Sequence, residues 1–145
     1  MSKFIKLATL FVFTVMCGIA AFAESKIKAS VSKDKVVTGE VFTYTVKIEG
    51  DFISPQLVLP DFKDFIVVSQ NQGQSYSFQG GKATLESVLI YGLIAPKPGK
   101  FNIKEVTLKD KGNVLSSNSF AIEVSGEPLK DKRKIQPYLE RGTDI

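Results

Sequence analysis

From residue 26 onward, apolar and polar side chains alternate with a period of two. This restricts the fold more than any other feature of the sequence. Ile27, Ala29 and Val31 alternate with Lys26, Lys28 and Ser30; Phe42, Tyr44, Val46 and Ile48 alternate with Thr43, Thr45, Lys47 and Glu49. Successive side chains of a strand point to opposite faces, so this pattern predicts strands with one buried and one wet face. Val37-Thr38-Gly39-Glu40, Pro96-Lys97-Pro98-Gly99 and Asp110-Lys111-Gly112-Asn113 supply the turns between them. Gly80-Gly81 joins two strand-like runs and predicts a two-residue hairpin, followed by a long strand from Lys82 to Ala95.

Other stretches are less regular. Pro55 and Pro60 flank Leu57 to Leu59, which predicts an edge strand, because proline donates nothing to a ladder. A second extended piece runs from Phe65 to Ser69, and SQNQGQSYSFQGG after it reads as a polar hairpin. Phe101 and Ile103 share one parity, while Val106 and Leu108 take the other. A bulge near Lys104-Glu105 would produce that switch. Phe120, Ile122 and Val124 form the last alternating run. No helical period competes. The expectation is all-β: an antiparallel Ig-like β-sandwich of about seven to nine strands. Its core would be made of Phe, Tyr, Val, Ile and Leu, without the Cys and Trp of antibody domains.

The two ends differ in character. Lys3 and Lys6 precede an apolar run from Leu7 to Ala20, and Ala21-Phe22-Ala23 fits a cleavage site. This predicts a signal peptide over 1–23 and export to the periplasm, cell envelope or medium. The run is shorter than the roughly 20 residues a spanning helix needs, so no membrane span is expected after cleavage. Residues 24–125 form the expected β-sandwich domain, and 126–145 a charged tail.

The only cysteine, Cys17, lies in the apolar run, and the chain has no histidine. Nucleophile–base pairs built on imidazole or thiolate, and metal sites of the same side chains, are therefore not expected in the domain. Asp61 with Asp64, and Glu49 with Asp51, are the remaining acid pairs, and they read as turn residues. No cofactor or catalytic role is implied. Without Lys3 and Lys6, two of the 19 basic residues, the formal charge falls from +4 to +2. That near-neutral balance is no argument for nucleic acid or an anionic membrane, the acids Glu105, Asp110 and Asp131 among the lysines read as a solvated face, and the inward parity of most Phe argues against nucleic acid. One feature suggests a protein partner. In SVLIYGLIA, Val88, Ile90 and Ile94 lie on one parity and Leu89, Tyr91 and Leu93 on the other, so both faces are apolar. A strand covered on one side should alternate. Either Leu89 and Leu93 lie under loops at the ends of the sandwich, or the tail, another copy or a partner covers the second face; on the latter reading a protein partner is expected to bind through the face bearing Leu89, Tyr91 and Leu93, or through an edge beside it, with the tail as cover until a partner displaces it.

The order of V…GE.F..TV.IEG, LPDF..F.VVS, Y.L.P..PGKF.I..V.L…G and SN.F.IEV over residues 26–125 resembles the N-terminal Ig-like domain of the BatD oxygen-tolerance proteins. The resemblance implies an exported, non-catalytic envelope protein acting beside von Willebrand A-type proteins and a MoxR-type ATPase, with links to aerotolerance and envelope stress. The other reading of an exported sandwich is an adhesin or carbohydrate-binding domain. The signal reading predicts a mature chain beginning at Glu24. Intact-mass measurement of exported protein checks this, and a membrane-retained species keeping Met1 to Ala23 would contradict it.

Overall fold

The computed structural model describes residues 25–130; the signal segment, its cleavage point and the tail beyond Lys130 lie outside the described residues. Ten strands follow in order: β1 (Lys26–Val31), β2 (Lys35–Val37), β3 (Val41–Gly50), β4 (Gln56–Val58), β5 (Ile66–Gln79), β6 (Lys82–Ile94), β7 (Gly99–Ile103), β8 (Thr107–Asp110), β9 (Asn113–Ser116) and β10 (Phe120–Ser125). One layer is a four-stranded sheet ordered β1-β3-β6-β5. Two three-stranded sheets, β2-β10-β7 and β4-β8-β9, make up the opposing layer. All ladders are antiparallel except β2 against β10. The architecture is the expected all-β sandwich, with a strand count just above the expected range.

Alternation predicts the core of β3 well. Phe42, Tyr44, Val46 and Ile48 are all buried, as are Ile103, Ile122 and Val124. Phe101 and Phe120 are only partly buried and pack against the core rim. Aromatic rings tie the layers together. Phe65 meets Phe42 of β3 and Phe101 of β7 edge-on, with centroids 5.5 and 5.8 Å apart. Tyr44 meets Phe62 at 5.5 Å and Phe120 of β10 at 6.1 Å, and Phe62 reaches Tyr91 at 5.4 Å. Phe62 and Phe65 therefore plug the core from the Pro60–Phe65 loop, while Asp61 and Lys63 face water.

Four sequence expectations need correction. Val106 and Leu108 are buried as their parity predicts, but no bulge causes the switch. The chain leaves the β2-β10-β7 sheet after Ile103 and enters the β4-β8-β9 sheet at Thr107, and the three intervening residues reset the face. SQNQGQSYSFQGG is not a separate hairpin, since most of it is the second half of the 14-residue β5. The expected extended piece is the first part of that strand, and a bulge between Val67 and Ser69 sits within it. The short β2 and β9 stand where no strand is expected, because they are too brief to show a period. The Gly80-Gly81 turn is as expected: both residues have positive φ, 59° and 78°, which a two-residue turn matching the strand twist requires.

The Tyr44 hydroxyl is buried without a hydrogen-bond partner among the described residues. Ser117 is the nearest polar influence, but its Oγ accepts from the Val106 N–H and donates to the Asn118 carbonyl. Burial pushes the Tyr44 pKa up to about 12, with a smaller opposing pull from Ser117. An unmatched buried hydroxyl costs about 1–3 kcal/mol. Tyr44→Phe is therefore expected to raise stability by about 1 kcal/mol in urea unfolding. The pH dependence follows from the raised folded-state value. The tyrosine contribution is fully present below pH 10 and is lost as pH rises from 10 towards 12, because the unfolded phenol ionises first. Tyr44→Phe should lose less stability over that window.

Candidate interaction edge

Leu89, Tyr91 and Leu93, the expected partner face, point into the sandwich. Their exposures are 7%, 4% and 0%. The ladder explains why: they stand opposite Val46, Tyr44 and Phe42 of β3, on the inner face of the sheet. This corrects the sequence reading: Tyr91 and Leu93 are core residues rather than an open face, and Leu89 shows only its rim, to a groove beside β5. The other parity of β6 is the outer face. There Gly92 and Ile94 are buried, Val88 is half-buried and Ile90 is 36% exposed. Part of that cover comes from the β5 bulge. A Cβ built on Gly92 would lie 2.3 Å from Ser69 Oγ and 3.3 Å from Val68 Cγ2, so glycine lets the bulge settle on β6. The described start of the tail does not cross the Leu89–Leu93 face either. Thr38 Oγ1 donates to the Glu127 carbonyl at 2.6 Å, and the Leu129 N–H donates to the Pro96 carbonyl at 2.9 Å.

The remaining sequence candidates are dispersed. Glu49, Asp51 and Asp61 are exposed, and Asp64 is half-buried. Among the described residues no group of three or more acidic, His or Cys side chains is placed to hold a metal. A cavity of about 360 Å³ lies between Phe52, Leu108, Val114 and Leu115, with Asp51 and Asp110 at its margin. The Asp110 carboxylate already serves the fold, accepting from the Ser54 N–H at 2.9 Å and the Ile53 N–H at 3.5 Å.

The sequence reading also allows an edge beside that face; the free edge next to β6 is β5, which the sequence does not single out. β5 pairs with β6 on one side and forms the margin of its sheet on the other. Its residues Gln70 to Gln79 are all exposed. The whole strand, IVVSQNQGQSYSFQ, contains no charge and no proline. Those are the usual means by which an edge is guarded against pairing. The opposite margin of the same sheet, β1, carries Lys26 and Lys28. β3 reaches only to Leu85 of β6, so the end of the β5–β6 hairpin projects past the sandwich.

The inner face of this edge also offers side-chain sites. Gln70, Gln72, Gln74, Tyr76 and Phe78 share the parity of Leu89 and Ser87. Gln70 Nε2 donates to the Tyr91 hydroxyl at 3.5 Å, a weak contact at the limit for a hydrogen bond. Below Gln72 and Gln74, a groove of about 210 Å³ opens between Leu85, Leu89, Leu108, Pro55 and Leu57. Beyond it stand Tyr76 and Phe78, 64% and 77% exposed. An extended peptide laid on β5 would gain backbone hydrogen bonds, and alternate side chains would find the groove and the rings. One sequence signal was available: two aromatics in a charge-free polar run directly before a tight turn.

The family model described as "BatD DUF11 like domain" matches residues 29–124. No curated protein matches the chain.

The positions of the aromatics give opposite expectations. Tyr91→Ala should destabilise the domain by about 3–5 kcal/mol, as for other buried aromatics. Tyr76→Ala and Phe78→Ala should stay within about 0.5 kcal/mol of the parent, as exposed substitutions do. Thermal and urea unfolding of the three variants distinguishes core from edge; equal losses at all three would contradict the placement of the edge.

Proposed function

The chain belongs to the BatD family, and from that premise we propose that it is a non-catalytic, exported envelope domain that works by pairing the free edge of β5 with an extended strand of a protein. The observation that carries this reading is the exposed, charge-free β5 edge beside a groove and two open aromatic rings. Strand addition draws its affinity from backbone hydrogen bonds, and side-chain pockets add selectivity. A role in oxygen tolerance or the response to envelope stress is part of the same proposal and comes from the resemblance, as does the class of partner, von Willebrand A-type envelope proteins. Exposed rings also suit sugars, which keeps the adhesin or carbohydrate-binding reading as the alternative outcome.

Site-specific photocrosslinking in the native envelope tests the proposal. A crosslinker at Ser75, in the exposed half of β5, should give discrete protein adducts. One at Thr45, on the outer sheet face away from the edge, should not. Both an adduct with a von Willebrand A-type protein and an adduct between two copies of the chain support strand addition. No adduct at Ser75, together with glycan-array binding lost in Tyr76→Ala, would replace it with carbohydrate recognition.

A further inference from the structure

We propose that the projecting end of the β5–β6 hairpin, with the loop and turn beside it, rests on the outer surface of the membrane through which the chain is exported. Apolar burial in the headgroup layer holds it there, so the lipid need carry no net charge. The inference rests on the export reading and does not depend on strand addition.

The first ground is where the exposed apolar side chains collect. Phe78, Ile53, Tyr76 and Val114 are the most exposed large apolar side chains among the described residues. All four stand at one end of the sandwich. β3 ends at Gly50, opposite Leu85 of β6, and Tyr76 of β5 is opposite the same Leu85. Ile53 follows β3 in a loop whose N–H groups donate to Asp110, and Val114 follows Asn113, which pairs with Asp110. Phe78 and the Gly80-Gly81 turn lie farther out along the hairpin. A strand added beside Gln70–Ser75 would leave this end uncovered.

The second ground is where the apolar export segment joins the domain. Lys26 pairs with Glu49, and Ser25 lies against Gly50, where a Cβ would come 2.6 Å from the serine Oγ. The segment that closes at Ala23 therefore enters at this same end. The three steps from Ala23 to Lys26 span at most about 11 Å. From Leu85 outward to Gly81 the hairpin runs on for about 13 Å. The link is shorter than the projection, so while the segment is held in the bilayer the hairpin reaches the bilayer surface. That singles out lipid as what the open side chains meet.

The third ground is the chemistry of the hairpin. Tyr76 and Phe78 share a face with Leu85 and Ala83, the residues opposite them, while Ser75, Ser77, Thr84 and Glu86 share the other. A division into one apolar and one polar face suits an element lying in the interface plane. Tyrosine, with an apolar ring and a polar tip, favours the headgroup level. Backbone groups between the two strands are paired out to Gln79 and Lys82, but the outer edge of β5 is open. The hairpin is thus fitted to the wet headgroup layer and not to hydrocarbon, where open backbone groups are costly. Charge does not decide the contact, because Lys26, Lys82, Lys109 and Lys111 share this end with Glu49, Asp51, Glu86 and Asp110.

Phosphatidylcholine vesicles test the inference on the full exported chain, in a Cys17→Ser background so that a retained signal adds no thiol. A polarity-sensitive dye on the thiol of Gln79→Cys should shift to the blue with vesicles and be quenched by spin labels near the headgroups. The same dye on Lys97→Cys, in the exposed turn after β6 at the opposite end, should do neither. Tyr76→Ala with Phe78→Ala should cut the fraction that floats with vesicles at least tenfold, with circular dichroism unchanged. Added salt or anionic lipid should change that fraction less than twofold. A folded parent that neither floats nor shifts the dye at position 79 overturns the inference. So do equal shifts at positions 79 and 97, binding that needs anionic lipid, or a folded double variant that floats like the parent. If intact mass shows the signal retained, the contrast between positions 79 and 97 alone decides. Crosslinking at Ser75 reads strand addition separately, so either reading can fail without the other.

Discussion

The sandwich is held shut by two phenylalanines that belong to no strand. Phe62 and Phe65 enter from the loop between β4 and β5 and contact rings on both layers. Each edge-on pair adds about 0.5–1.5 kcal/mol beyond area burial. Their larger role is geometric. The opposing layer is split into two small sheets, and neither could cover the four-stranded sheet alone. Phe65 bridges the four-stranded sheet and β7 through Phe42 and Phe101, and Phe62 packs on Tyr44 and Tyr91 beside it.

That arrangement explains why β6 is apolar on both faces. Its inner residues belong to the core. On its outer face the bulged β5 folds Val68 against Gly92, and Ile94 is buried close by. The bulge breaks register between Val67 and Ser69, and beyond it β5 runs on uncharged to the Gly80-Gly81 turn. The strand thus changes role along its length. Its first residues are anchored to the sandwich, and its second half is an exposed ladder edge. Most edges in this domain are short or carry lysine, whereas this one is long and plain, which suits it to pairing.

Surface charge plays a smaller part. Lys47 meets Glu86 at 2.9 Å on the outer face, and Lys33 meets Glu40 beside the turn that starts β3. Glu40 also accepts from the Val37 N–H at 3.0 Å. The contact with Lys33, followed by that backbone bond, holds its carboxyl below the usual range. Exposed pairs of this kind contribute little to stability. They fix a turn locally, while the affinity proposed for the β5 edge comes from uncharged backbone groups.

What the sequence settled by itself was whatever depends on local chemistry. The alternation in β3, the Gly80-Gly81 turn, the Pro96–Gly99 stop and the closing run of β10 each carry their own physical signal. So does the parity switch before Val106, although its cause, a crossing between sheets, is invisible in one dimension. Tertiary structure alone decided which face of β6 is the core. Leu89, Tyr91 and Leu93 are chemically indistinguishable from an exposed apolar face until β3 pairs beside them and the Phe62–Phe65 loop packs on top. The same holds for β5: its uncharged stretch reads as a polar hairpin until the sheet leaves one side of it without a neighbour. A period of two tells which residues share a face, but the pairing of distant strands determines whether that face meets protein or water.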